Sequence, residues 1–309
     1  MLLYTVLFTI NGKDPKNNKY VEMFYIWLSY VKRNSGLGPT DYVYLLVDTA
    51  TYDFIKNCVY FGYLLQGIQF KMSFHIFPIP ANISEGIAIR YCFQPDLPGT
   101  FLMHTDLDIL ILKPINNFFY GIYPHPNTLC ILREGQLLDA SYAHGLIEKS
   151  DITENHTGFT ATVFAFIPGD DITKMFHRLV NEIINKAHSP YFTIDQPFYN
   201  RELFTLIHKI QPSNMIMYFI GMNCITNNNL TVLNSHIFVN FGGFPGDDSG
   251  HFIKMLTMMC HQFTQSGVAE QEQQPAGHHL LLLATQLHSL GDLAGLQEQD
   301  DSHTQQPSA

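Results

Sequence analysis

An α/β fold built on a mainly parallel sheet is what this sequence predicts, and three observations predict it. Strand-like and helix-like stretches alternate through the first third of the chain, as in sheets whose strands are joined by helical crossovers. Hydrophobic residues make up 46% of the 309 residues and charged residues only 14%, enough for one large core. An apolar run, Phe101-Leu-Met-His-Thr-Asp-Leu-Asp-Ile-Leu-Ile-Leu112, carries Asp106 and Asp108 with one residue between them. Polar groups at the carboxyl ends of such strands are where open α/β sheets bind ligands.

The elements follow in order. Residues 2–10 read as a first buried strand. Residues 16–34 read as a helix with Val21, Phe24, Tyr25, Leu28 and Val31 on one face. Tyr42–Val47 is a second strand, followed by Asp48. Residues 51–66 read as a helix closed by Gly67. Phe74–Phe77 is a third strand, ended by Pro78 and Pro80. Ser84 opens a helix with Glu85 in its first turn, running to about Phe93. The run with the two aspartates comes next and reads as one strand. If so, its period of two places both carboxylates on one face. Cys130–Leu132 and Ala161–Ile167 are further strands. Residues 170–187 form an amphipathic helix with Ile172, Met175, Phe176, Leu179, Val180 and Ile183 toward the core. A short helix follows Pro197. Met215–Ile220 and His236–Phe241 are the last strands, and residues 242–250, with four glycines and a proline, form a loop.

Residues 264–309 contain no aromatic residue and no Ile, Asn, Lys or Arg. Such a segment buries too little apolar surface to offset its ordering entropy. The expected organisation is one domain over 1–263, with a nucleotide-binding half at 1–114 and an acceptor half at 115–263. The tail at 264–309 is expected to be disordered, and its removal to leave the domain unchanged.

The formal net charge is −10, from 17 Lys+Arg against 27 Asp+Glu, which argues against a broad nucleic-acid surface. The five cysteines form no Cys-x-x-Cys pair, so neither zinc nor a disulfide framework is supported. A reducing, cytoplasmic location is the expectation. Residues 1–10 lack the basic region and cleavage site of a secretion signal and are too short to span a bilayer, so no transmembrane segment is expected. Without a secretion signal, the sequons at Asn82, Asn155 and Asn229 carry no weight. Neither a Gly-x-Gly-x-x-Gly loop nor a Walker A loop is present, which leaves dinucleotide-oxidoreductase and P-loop ATPase readings poorly supported.

Two hard carboxylates side by side suit Mg²⁺ or Mn²⁺ carrying a diphosphate. Four segments stand in the order of one known family. They are Met103-His-Thr-Asp-Leu-Asp-Ile-Leu-Ile-Leu-Lys-Pro114, Asn155-His-Thr-Gly-Phe-Thr-Ala-Thr-Val-Phe164, Asp195-Gln-Pro-Phe-Tyr-Asn200, and Val239-Asn-Phe-Gly-Gly-Phe-Pro-Gly246 with His251-Phe-Ile-Lys-Met255. Over roughly residues 1–260 the chain resembles GT-A nucleotide-diphospho-sugar glycosyltransferases, most of all family 8 and related viral or microbial enzymes. That resemblance implies metal-dependent sugar transfer with retention, from a nucleotide-sugar donor, UDP-sugar first, to a glycan, protein or small-molecule acceptor.

The resemblance also implies roles. Asp108 chelates Mn²⁺ or Mg²⁺ directly. Asp106 contacts the ion directly or through water, with reach to the ribose. The family's third metal ligand, a histidine, falls at Asn240, so His236, four residues earlier, is the candidate in its place. Lys254 and Arg90 are candidates for the diphosphate. Thr9 and Asn11, at the end of the first strand, and Asp48, at the end of the second, are candidates for base and ribose. Asp195 is the candidate carboxylate beside the sugar. Each has an ordinary alternative: strand-end capping for Thr9, Asn11 and Asp48, a helix cap for Asp195, a surface lysine for Lys254. Two other readings of the chain stand beside this one. Haloacid-dehalogenase phosphatases also place Asp-x-Asp after a strand. A degenerate glycosyltransferase would bind a sugar nucleotide without turnover.

Overall fold

The computed structural model describes residues 1–10, 14–139, 142–143, 145–152, 156–186, 195–208, 214–221, 224–225 and 236–241. Ten strands and six α-helices are among them. They are β1 (Leu2–Leu7), α1 (Lys19–Asn34), β2 (Tyr42–Asp48), α2 (Thr49–Lys56), α3 (Val59–Leu65), β3 (Lys71–Phe77), α4 (Ile83–Cys92), β4 (Leu102–Thr105), β5 (Ile109–Ile111), β6 (Thr128–Gln136), β7 (Thr157–Ile167), α5 (Asp170–Lys186), α6 (Gln196–His208), β8 (Ile216–Ile220), β9 (Cys224–Ile225) and β10 (Phe238–Asn240).

The α/β class and mainly parallel sheet expected from the sequence are present. Seven strands form one sheet in the order β3-β2-β1-β4-β7-β6-β8. β7 alone runs against the others: its neighbours β4 and β6 pair with it antiparallel, while the remaining pairs are parallel. A second sheet of three strands has the order β5-β10-β9.

The period of two in the strands sorts the core into two layers. Leu3 and Leu7 of β1, Val43, Leu45 and Val47 of β2 and Met103 of β4 pack with α1, α3 and the small sheet. Leu2 and Tyr4 of β1, Leu46 of β2 and Leu102 of β4 face the opposite way, into Tyr91, Phe176, Leu179 and Tyr199. Trp27, Phe24 and Leu28 of α1 are fully buried. Each such side chain contributes about 1.5–3 kcal/mol when removed from water. The expected core face of α5 is found, with Ile172, Met175, Phe176, Leu179 and Ile183 fully buried and Val180 half-buried against the same cluster.

Three expectations need correction. The helix expected over 51–66 is two helices, because Asn57 ends α2 by donating its side-chain amide to the Asp53 carbonyl at 2.8 Å. The cap of α4 is Asn82, not Ser84: Asn82 Oδ1 accepts from Glu85 N at 3.0 Å while Glu85 accepts from Ala81 N at 2.8 Å, a reciprocal cap. The run over 101–112 is not one strand. β4 stops at Thr105, Ile109 N bonds back to the Asp106 carbonyl at 3.2 Å, and β5 joins the other sheet. Asp106 and Asp108 therefore sit on a turn between two sheets, not on one strand face.

Asn11, Lys254, the loop at 242–250 and the tail at 264–309 lie outside the described residues. Among the described residues no helix is long and apolar enough to cross a membrane.

Candidate active site

The site is built where the central strands end. β1 and β4 are neighbours, with β2 and β3 on one side and β7, β6 and β8 on the other. This is the switch in strand order at which open α/β sheets present a crevice. Asp106 stands just past β4, and its amide bonds the Thr162 carbonyl of β7 at 2.9 Å. Asp108 opens β5, and its carbonyl accepts from Phe241 N at 2.9 Å.

Arg90, on the last turn of α4, ties the acidic groups together. Its Nη1 lies 3.0 Å from Asp106 Oδ1 and 3.5 Å from Asp195 Oδ2, and donates to the Ala161 carbonyl at 3.3 Å. Burial works against its charge, but Asp106 and Asp195 raise its pKa above the ordinary arginine value. Sequence reasoning proposed Arg90 for the diphosphate. In the structure it is a buried countercharge shared by two carboxylates from distant parts of the chain.

Asp106 has a second partner. His104, fully buried in β4, meets Asp106 Oδ1 with Nε2 at 2.9 Å. Burial penalises the Asp106 charge, yet Arg90 and His104 hold its carboxyl below the usual carboxylate range. Burial likewise pushes the His104 imidazole down, against the pull of Asp106, so the ring is neutral with its proton on Nε2. Sequence reasoning missed His104. The available signal was its spacing, since strand residues two apart share a face.

Asp108 has the opposite environment. Burial, and then the charge of Asp106, push its carboxyl up to about 7. Its Oδ1 is buried and has no hydrogen-bond partner among the described residues. An unpartnered buried polar atom costs about 1–3 kcal/mol. A divalent cation relieves both the repulsion and the missing partner, and two carboxylates suit a hard ion that keeps waters and takes up substrate phosphates. The chemistry of the pair thus fits Mg²⁺ or Mn²⁺.

The register of β10 does not bring His236 to Asp108. β10 pairs antiparallel with β5, with Asn240 opposite Ile109 and Phe238 opposite Ile111, and Leu112 N bonds the Ile237 carbonyl at 2.8 Å. His236 is therefore at the far end of this ladder, more than about 10 Å of extended chain from Asp108. A count of four residues back from Asn240 cannot reveal that register. Among the described residues no group of three or more His, Cys, Asp or Glu comes together to hold a metal.

The segment from Asp195 docks α6 onto β7. Asp195 Oδ2 accepts from the Tyr91 hydroxyl at 2.6 Å. Burial and Asp195 raise the Tyr91 phenol above its ordinary value, so it stays a donor. Gln196 Oε1 accepts from Ala161 N at 3.3 Å, and Asn200 bonds both N and O of Phe159 at 2.7 Å. The spacing of Asp195, Gln196 and Asn200 thus fastens one helix turn to the strand beside the aspartates. Asn200→Ala removes both bonds from a fully buried junction. The expected cost is about 2–4 kcal/mol, read as a lower urea midpoint with far-UV circular dichroism unchanged.

Thr9 and Asp48 are engaged in the fold. Asp48, fully buried, accepts from Thr9 N at 2.7 Å, Thr51 N at 3.0 Å and Thr51 Oγ1 at 2.6 Å, capping α2. The Thr9 hydroxyl pairs with that of Thr51 at 2.6 Å. Their capping role, the ordinary alternative, is what the structure displays. They hold the ends of β1 and β2 beside the crevice.

No protein-family model matches the chain, and no curated protein matches it. Among solved structures it is similar to the apo form of mouse xyloside xylosyltransferase 1, with a TM-score of 0.49 and 14% identity over 77% of this chain and 96% of that one. A likeness of that degree carries neither activity nor substrate across.

Proposed function

We propose that this protein is a GT-A-type glycosyltransferase that moves a sugar from a nucleotide-diphosphate donor, a UDP-sugar first, to an acceptor with the aid of Mn²⁺ or Mg²⁺. The observation that carries the reading is the placement of Asp106 and Asp108 at the end of the central strand β4, with Asp195 brought to the same guanidinium. Asp108 is the direct ligand in this reading, and Asp106 presents the oxygen that His104 does not engage. The ion supplies charge neutralisation to the departing diphosphate. Asp195, held by Tyr91 and Arg90, orients the donor sugar and opposes positive charge at its anomeric carbon. Retention of configuration belongs to the same proposal, and NMR of the anomeric proton in the product tests it.

The environment of Asp106 disfavours the phosphatase reading. The first aspartate of that class attacks phosphorus, whereas Asp106 Oδ1 already accepts from His104 and lies 3.0 Å from Arg90. Its two nearest donors fix it as an anion with a set orientation, not as a free nucleophile.

The test is a panel of nucleotide sugars with and without Mn²⁺, read by thermal shift and by metal-dependent release of the nucleotide. At about 100 times its dissociation constant, the right donor stabilises the fold by roughly 2.7 kcal/mol. A panel in which no nucleotide sugar shifts the transition with Mn²⁺ would sink the reading.

A further inference from the structure

We infer that His104 is a positioning residue for the cation site: a buried imidazole that fixes the Asp106 carboxylate by engaging Oδ1, so that Oδ2, which it leaves to Arg90, is the oxygen presented to the ion. The inference rests on the metal site proposed above and adds to it a residue outside the Asp-x-Asp pair.

Packing alone does not account for a histidine here. His104 is fully buried in β4 between Met103 and Thr105, which are also fully buried. Its ring stands 5.1 Å from those of Tyr4 and Phe164, measured between centroids. An aromatic hydrocarbon would satisfy that setting. Instead Nδ1 is buried with no hydrogen-bond partner, so the imidazole leaves one polar atom unsatisfied. Among the described residues its one hydrogen bond is the 2.9 Å contact from Nε2 to Asp106 Oδ1.

The geometry shows what that contact does. Arg90 Nη1 lies 3.0 Å from Asp106 Oδ1 and donates to Oδ2 at 3.2 Å, so the guanidinium does not choose between the two oxygens. His104 does, because it meets Oδ1 alone. The two donors come from different elements, α4 and β4, and together they fix the rotation of the carboxylate about its bond to Cβ. Behind them, Trp27 Nε1 donates to the Thr105 hydroxyl at 3.0 Å, pinning the residue between His104 and Asp106. Groups that orient a metal ligand without touching the metal typically change its affinity 10–100-fold when removed.

The test compares Mn²⁺ binding, read by electron paramagnetic resonance of the free ion, in the full-length wild type and in His104→Phe, His104→Leu and His104→Gln. The phenylalanine variant keeps a ring and loses the donor, and is expected to weaken Mn²⁺ about tenfold or more. His104→Leu carries the same comparison if the larger ring prevents folding. His104→Gln restores an N–H donor and is expected to recover a measurable part of the lost affinity. A structural role alone would lower the melting temperature of all three without ordering their Mn²⁺ affinities by donor. Wild-type affinity in a folded Phe or Leu variant overturns the inference and leaves the metal site standing. A wild-type protein that binds no Mn²⁺ overturns both.

Discussion

Asp108→Asn is expected to make the metal-free protein more stable and to abolish the proposed metal-dependent sugar transfer. The Asp108 carboxyl is pushed up to about 7 by burial and by Asp106. An unfolded aspartate has a pKa of about 4. Between those values the folded state binds a proton that the unfolded state releases, so this residue lowers stability as pH rises from about 4 to about 7, with no further change above. The asparagine removes that slope. For a partly exposed group the gain at pH 7.5 is on the order of 1–2 kcal/mol, or several degrees in melting temperature. The same substitution takes a full charge from the cation site. A Lewis acid supplies several kcal/mol to transition-state charge, so turnover is expected to fall by roughly three orders of magnitude. Wild-type turnover of the variant with Mn²⁺ would refute the metal role. Identical pH–stability curves for the two proteins would refute the repulsion between Asp106 and Asp108.

Arg90→Met is expected to be the most damaging single substitution to the fold of the site. It leaves Asp106 and Asp195, at 3.0 and 3.5 Å from the guanidinium, without their shared countercharge. Removing one partner of a buried ion pair costs about 3–5 kcal/mol, which for a protein of this size lowers the melting temperature by about 10 °C. The pH dependence has the opposite sign to that of Asp108. The Asp106 carboxyl is held below its ordinary value, so its contribution is complete above the unfolded pKa near 4 and is lost as pH falls through the depressed folded value. The deficit of Arg90→Met is therefore largest at neutral pH and shrinks on acidification. A deficit constant from pH 3 to pH 7 would mean that Arg90 acts through packing alone.

Much of this arrangement was legible in the sequence, for reasons that can be named. The parallel strands β1, β2 and β3 are short apolar runs closed by turn formers, and α5 declares its buried face through a 3.6-residue period. Asp106 and Asp108 stood out because charges are rare inside an apolar run. What was illegible depends on tertiary register. The break at Asp106 is unmarked, because the run over 101–112 holds no Gly or Pro and nothing local says that Ile109 leaves one sheet for another. His236 is a candidate only through standing four residues before Asn240, and the antiparallel pairing of β5 with β10 sets it away from Asp108. Arg90 was noticed, but its role needed Asp195, 105 positions later in the sequence, to arrive beside it. His104 was hidden as one residue in a hydrophobic strand.

The turn between β4 and β5 also has a mechanical consequence. Asp106 is anchored to the large sheet through Thr162, while Asp108 is anchored to the small one through Phe241. A cation gripping both carboxylates would rivet two sheets that share one apolar core but belong to separate hydrogen-bond ladders. Opening of the small sheet would then require release of the ion, merging two units of local unfolding into one. Amide exchange at Ile109, Leu110 and Asn240 should slow when Mn²⁺ is added, while exchange in β2 and β3, far from the rivet, stays as it was.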